Sequence, residues 1–180
     1  MNFFAYLFQD RRANRGNFKA QLVLFMFRLV NAINRYMLLK VIFFPYLMFY
    51  RFFVEWSLGI ELPRKLRAGK NLVFYHGQGL VVNYGTIIGE NCVLRNGVTI
   101  GHKKLADGTH SRCPQIGNNV DIGANVCIIG DITIGDNVVI GAGAVVVKSI
   151  PPNSTAVGNP ARVLEKKAEA ANLTKDINGQ

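Results

Sequence analysis

Residues 116–145 read IGNNVD IGANVC IIGDIT IGDNVV IGAGAV, five blocks of six in one register. A large aliphatic opens each block (Ile116, Ile122, Ile128, Ile134 and Ile140, then Val146), and glycine follows it at 117, 123, 135 and 141. Four places on comes a second apolar residue: Val120, Val126, Ile132, Val138, Ala144 and Ile150. The register extends upstream through Val82, Ile88, Leu94 and Ile100, with Thr86, Cys92 and Val98 at the fourth place, and more weakly through Leu62, Ala68 and Phe74. A fixed short period marks a solenoid, and a period of six specifies a parallel β-helix. Each block supplies one short strand and one corner, so three blocks make a triangular coil. Its opening aliphatic points inward and stacks on the equivalent residue of the next coil, while Gly or Asn takes the corner. No block buries its own face, so stability comes from stacked neighbours. Simple strand alternation has a period of two and does not produce this register.

Two interruptions break the count. Phe74 to Val82 is a step of eight, which inserts two residues beside His76. Ile100 to Ile116 is sixteen where twelve would keep register, and the polar segment 101–115 between them must leave the helix as a surface loop. Insertions in a solenoid go to the surface and commonly serve binding.

The front of the chain is different. Residues 1–70 hold 12 Lys and Arg against Asp10, Glu55 and Glu61, a net of +9, whereas residues 71–180 hold 9 against 8. The expected division is a basic, aromatic-rich helical segment over 1–59, a β-helix over 60–163 and an exposed tail over 164–180. Residues 18–58 read as two helices with a break near Asn31–Asn34 or at Pro45. Either the segment caps the open end of the first coils with its Lys and Arg in solvent, or it lies on an anionic membrane surface; the two are compatible. The most apolar run, residues 41–50 between Lys40 and Arg51, is too short to span a bilayer, which takes roughly 20 apolar residues. Cys92, Cys113 and Cys127 show neither zinc spacing nor an even count, which fits a reducing compartment. A cytoplasmic place follows, with contact at the inner face of the membrane where the basic segment meets it.

The motifs Gly59-Ile-Glu61, Tyr75-His76-Gly77 with Leu80-Val-Val82, Asn96-Gly-Val-Thr-Ile-Gly101, Arg112-Cys-Pro-Gln-Ile-Gly117, Ile140-Gly-Ala-Gly-Ala144 and Pro151-Pro-Asn through Gly158-Asn-Pro-Ala-Arg162 carry a resemblance. Residues 60–164 resemble the serine O-acetyltransferase branch of the hexapeptide acyltransferases, and especially its smaller members that O-acetylate colanic-acid or capsular polysaccharides. The resemblance implies a left-handed β-helix, acetyl-CoA as co-substrate without a metal, and a homotrimer, with pairing of trimers through the helical cap left open.

Of the three histidines, His76, His102 and His110, none sits at an inward repeat position. Acyl transfer to a hydroxyl needs a base within hydrogen-bond reach, and imidazole suits neutral pH. By the resemblance, that base is His76, with Glu61, 15 residues earlier, as the carboxylate that orients the ring. The CoA groove maps to Gly101, Ala124, Ala142, Val147, Lys148 and Arg162. The acceptor side maps to Tyr75, Tyr84, His102, His110, Arg112 and Cys113. Serine enzymes carry Asp-His at the base and Arg-His-Pro at the loop's end; this chain has Tyr75-His76 and Arg112-Cys113-Pro114, with Tyr84 where a glutamate is expected. Losing groups that read an amino acid while keeping the base points to another hydroxyl, on a sugar of an exopolysaccharide, capsule or lipid-linked glycan. Serine O-acetylation is the alternative. A zinc lyase of this fold would need three histidine ligands, and the intervals of 26 and 8 among these do not match; a non-catalytic scaffold is the remaining reading.

Overall fold

The computed structural model describes residues 2–164. Fifteen short strands wind into a triangular parallel β-helix of three faces. Face A stacks β1 (Ile60–Glu61), β4 (Leu80–Val82), β7 (Thr99–Gly101), β10 (Cys127–Ile129) and β13 (Val145–Val146). Face B stacks β2 (Arg67–Ala68), β5 (Ile87–Ile88), β8 (Gln115–Ile116) and β11 (Thr133–Ile134). Face C stacks β3 (Val73–Tyr75), β6 (Val93–Arg95), β9 (Asp121–Ile122), β12 (Val139–Ile140) and β14 (Thr155–Val157), all parallel, and ends in antiparallel β15 (Arg162–Val163). The block-opening aliphatics and their fourth-place partners fill the interior; Ile122, Val126, Ile128, Ile134 and Val138 have no exposure at all.

The corner from face B to face C shows why the period needs Gly and Asn. Asn71, Asn91, Asn119, Asn137 and Asn153 all hold left-handed backbone, φ 56–58°. Their amides form a column in which each Nδ2 donates to the next Oδ1 at 2.9–3.0 Å. Just before them, a Cβ on Gly89 would lie 2.4 Å from the carbonyl oxygen of Gly117, so only glycine lets successive coils approach.

One register count differs from the sequence reading. Val82 pairs with Ile100, 18 residues on, but Ile100 pairs with Ile128, 28 residues on. The loop is therefore an excess of ten residues, not four. Ile100 on face A and Ile116 on face B are successive blocks, and no hexapeptide between them enters the coil.

The front segment holds α1 (Phe3–Leu7), α2 (Phe18–Ile33), α3 (Met37–Ile42), α4 (Phe44–Tyr50) and a π-helical turn over Arg51–Ser57. The chain breaks at both expected places, after Ile33 and at Pro45, which sits in the first turn of α4. These elements cap the first coil by answering its unpaired edge groups, the standing problem of any exposed strand. Asp10 Oδ1 accepts from Leu72 N, Asn14 accepts from Phe74 N and donates to Leu72 O, and Asn17 donates to Phe74 O. Arg28 donates to the Ala68 and Gly69 carbonyls, Asn31 to Leu66 O and Tyr50 to Leu62 O. The cap reading assumed solvated cations, and Arg28 departs from it. It is 1 % exposed and grips Asp10 at 2.7 and 3.1 Å, because the edge carbonyls it serves lie inside the cap. No helix among the described residues is long and apolar enough to cross a membrane. The expected tail lies, past Leu164, outside the described residues.

Candidate active site

The two inserted residues build a turn around His76. Gly77 N donates to Tyr75 O at 2.9 Å, and the enclosed His76 has φ +67°. This is the left-handed form of the three-residue γ-turn, rare and strained for a side chain other than glycine. Strain of this kind persists only where the surroundings over-determine it, and it clusters at functional sites. Here α2 does the holding: Lys19 Nζ donates to His76 O at 3.0 Å, and Asn17 grips the preceding Phe74 carbonyl. The imidazole itself is exposed at the corner between faces C and A.

That corner continues upward as one edge. Gly97 N donates to Gln78 O, Asn125 N to Asn96 O, and Gly143 N to Ala124 O. Ala124 and Ala142 therefore sit on the same line as the His76 turn, the farther one three rungs away, about 14 Å at ~4.8 Å per rung. Ala161 N donates to Val145 O at its top, which brings Arg162 to the end of the edge with its side chain exposed. Glu61 occupies the foot of face A, at the base of an outward column that continues through Val81, Thr99, Cys127 and Val145. Its neighbour Ile60 packs under Gly77. The Glu61 carboxylate lines a cleft of about 340 Å³ with Phe44, Arg51, Glu55 and Arg64. Among the described residues, no hydrogen bond or ion pair joins Glu61 to His76.

The other edge of face A, its corner with face B, gathers most of the acceptor set. The loop leaves after Gly101 and returns as a small hairpin, with Ser111 N donating to Lys103 O and Leu105 N to Thr109 O. Within it the His102 and His110 rings lie 4.1 Å apart, and His102 Nδ1 is buried without a hydrogen-bond partner. Cys113 Sγ donates to Asn83 Oδ1 at 3.3 Å and so ties the loop's end to Tyr84 beside it. Burial pushes the Cys113 thiol above its ordinary value, so little thiolate is present near neutral pH. Tyr84 and Arg112 are exposed, as are Val147 and Lys148 farther up the same edge.

A single chain thus places His76, Ala124, Ala142 and Arg162 on one edge of face A and the loop, Tyr84, Val147 and Lys148 on the other. Tyr75 stands apart on face C, its ring under the Arg95 guanidinium at 5.4 Å, and Arg95 is paired with Asp121. Sequence reasoning missed Lys19, Asn17, Arg95 and Asp121. Asn17, directly before an apolar-periodic helix, was a readable N-cap signal, and Arg95 and Asp121 are charges at outward repeat positions. Nothing in the sequence marked Lys19.

The comparisons with known proteins agree with this architecture. Residues 113–148 match the family described as bacterial transferase hexapeptide (six repeats), and residues 79–102 match the hexapeptide repeat of succinyl-transferase. The chain is 43% identical over 119 residues to the "Putative colanic acid biosynthesis acetyltransferase WcaB" of Escherichia coli (strain K12), covering 66% of this chain and 72% of that protein. It is 50% identical over 97 residues to a mitochondrial serine acetyltransferase of Arabidopsis thaliana, covering 51% of this chain but 25% of the plant protein. Among solved structures, soybean serine acetyltransferase superposes with a TM-score of 0.77 at 30% identity, covering 90% of this chain and 69% of that one.

Proposed function

The chain belongs to the hexapeptide-repeat acyltransferases, and from that premise we propose that it transfers an acetyl group from acetyl-CoA to a sugar hydroxyl of an exopolysaccharide, capsule or lipid-linked glycan. The observation that supports this reading best is the strained His76 turn, set in line with Ala124 and Ala142 on one edge. The pantetheine arm would lie along that edge against backbone amides, and exposed Arg162 at its end, joined by Lys148 from the loop edge of a neighbouring subunit, would meet the phosphates as charge-assisted pairs. His76 would take the proton of the acceptor hydroxyl as its oxygen attacks the thioester carbonyl. The C–S bond then breaks, and the imidazolium returns the proton to the departing sulfur, giving the O-acetyl ester and free CoA.

In this reading the acceptor is framed by Tyr84, the His102–His110 pair, Arg112 and Cys113. These lie across face A from His76 in one chain, so a homotrimer would complete the site, with the loop edge of one subunit closing on the His76 edge of the next. Pairing of trimers through the cap is compatible with it. Glu61, at the foot of face A in the same chain, would be the carboxylate that orients the imidazole. The enzyme would work in the cytoplasm against the inner face of the membrane that carries its glycan.

Serine O-acetylation is the second reading, favoured by the superposition on soybean serine acetyltransferase. CoA release from acetyl-CoA, followed with L-serine and with a panel of oligosaccharides, separates the two. Turnover with glycans and none with serine is expected; turnover with serine alone would overturn the assignment of the acceptor.

A further inference from the structure

Helix α4 and the π-turn after it bury Leu47, Tyr50 and Val54 against the cap, yet their opposite side presents Met48, Phe49, Phe52 and Trp56 to solvent. Helix α3 buries none of its residues, and Met37, Leu38, Val41 and Ile42 are all more than half exposed. Among the described residues, eleven of the twenty-three exposed large hydrophobics fall within residues 36–56, so exposed apolar surface is concentrated in this segment. A helix apolar all round is one whose outer side is covered in use. The face adjoins a largely apolar cleft of about 690 Å³ between α1, α2 and α3, whose lining includes Arg35 and Tyr36.

Charge decides what covers it. Arg35, Lys40 and Arg51 punctuate the face, and its one acid, Glu55, is already 3.5 Å from Arg51. A two-fold contact between copies would set this face against itself, three cations against three, with only Glu55 and, in the adjoining cleft, Glu61 to receive them. An anionic lipid surface supplies apolar depth for the side chains and phosphates for the cations together. Trp56 and Tyr36 at the margins suit the headgroup level, and Arg51 already lies over the Trp56 ring at 5.9 Å.

We propose that the outer faces of α3, α4 and the π-turn form a docking surface for an anionic bilayer, entering it by ~5–10 Å without crossing it. This rests on the reading of an enzyme that works at a membrane, and it names the surface and the lipid class. Trp56 is the chain's one tryptophan and reports directly on the face. The full chain is mixed with vesicles of phosphatidylcholine alone or with phosphatidylglycerol, and flotation and Trp56 emission are read together. Anionic vesicles are expected to float the protein and blue-shift Trp56, with binding that weakens as salt rises. Lys40→Gln should lower vesicle affinity about fivefold, the ~1 kcal/mol one cation contributes near such a surface. L38E/V41E should abolish flotation without changing the thermal midpoint, since Leu38 and Val41 both face solvent while Leu39 keeps the contact of α3 with the core. Absence of flotation and of a blue shift on anionic vesicles would overturn the proposal. So would an L38E/V41E variant that falls to a smaller oligomer while vesicle binding is unchanged, which would assign the face to a second copy. CoA release with a soluble oligosaccharide, run on the same variants, tests the acetyl-transfer reading separately.

Discussion

Two corners of one β-helix make the instructive contrast. Between faces B and C every turn repeats the one below it, with five asparagines at the same φ and their amides in a single column. Between faces C and A the regular left-handed position holds Gly79, Gly97, Asn125 and Gly143, but the first turn carries two extra residues and adds His76 as a further left-handed residue before Gly79. Both corners place Gly or Asn at their repeating left-handed positions, and only the inserted His76 holds that conformation against preference. Repetition makes the regular corner a frame; the irregular one keeps its conformation because α2 reaches over to hold it. On the proposed reading, this solenoid separates stability from chemistry by edge, although both run along the same coils.

Substitutions on the two corners should fail in different currencies. The largest effect belongs to His76→Ala, which should lower CoA release by about 10²–10⁴-fold, the usual contribution of a positioned general base, at an unchanged melting midpoint. Retention of most turnover would end the mechanism. Next comes Arg28→Met, which leaves Asp10 buried without its partner and should destabilise the fold by about 3–5 kcal/mol in denaturant titrations. An unchanged midpoint would mean that the cap does not hold the first coil. Asn119→Ala, at the middle of the amide column, should cost about 1–2 kcal/mol for its left-handed backbone alone, with kcat preserved. A loss of kcat there, with stability intact, would blur the separation of the corners. The smallest effect is expected of Cys113→Ser, which keeps a donor for Asn83 and should leave turnover within roughly twofold. A collapse of activity there would return the thiol to the chemistry.

Why one corner was readable and the other only partly so follows from what each is made of. The frame repeats, so Ile122, Ile128 and Ile134 announce their burial by spacing, and Asn or Gly at the corner announces the turn. The histidine insertion was visible as a break in the count, though not the left-handed γ-turn it forms. The loop was placed correctly but its excess underestimated, because spacing alone does not say whether a polar hexapeptide stays in the coil. The cap was the least legible part. Its work is done by single residues such as Asp10, Asn14 and Arg28, whose partners are backbone groups some 40–60 residues later and leave no period in the sequence. In the proposed trimer the two edges of face A would meet between chains, and spacing along one chain does not report that.

The two ends of the coil carry a consequence for solubility. A stack of parallel strands is a template at each end, able in principle to add another molecule's coil and grow into a fibre. At the first coil, all three strand edges are engaged by side chains of the cap: Tyr50 at β1, Arg28 and Asn31 at β2, and Asp10, Asn14 and Asn17 at β3. At the last coil, β15 reverses direction and pairs antiparallel with β14, so face C ends in a strand of the wrong polarity for further stacking. Among the described residues the coil is thereby stopped by unlike devices, side chains of the cap at its first turn and a reversed strand on face C at its last.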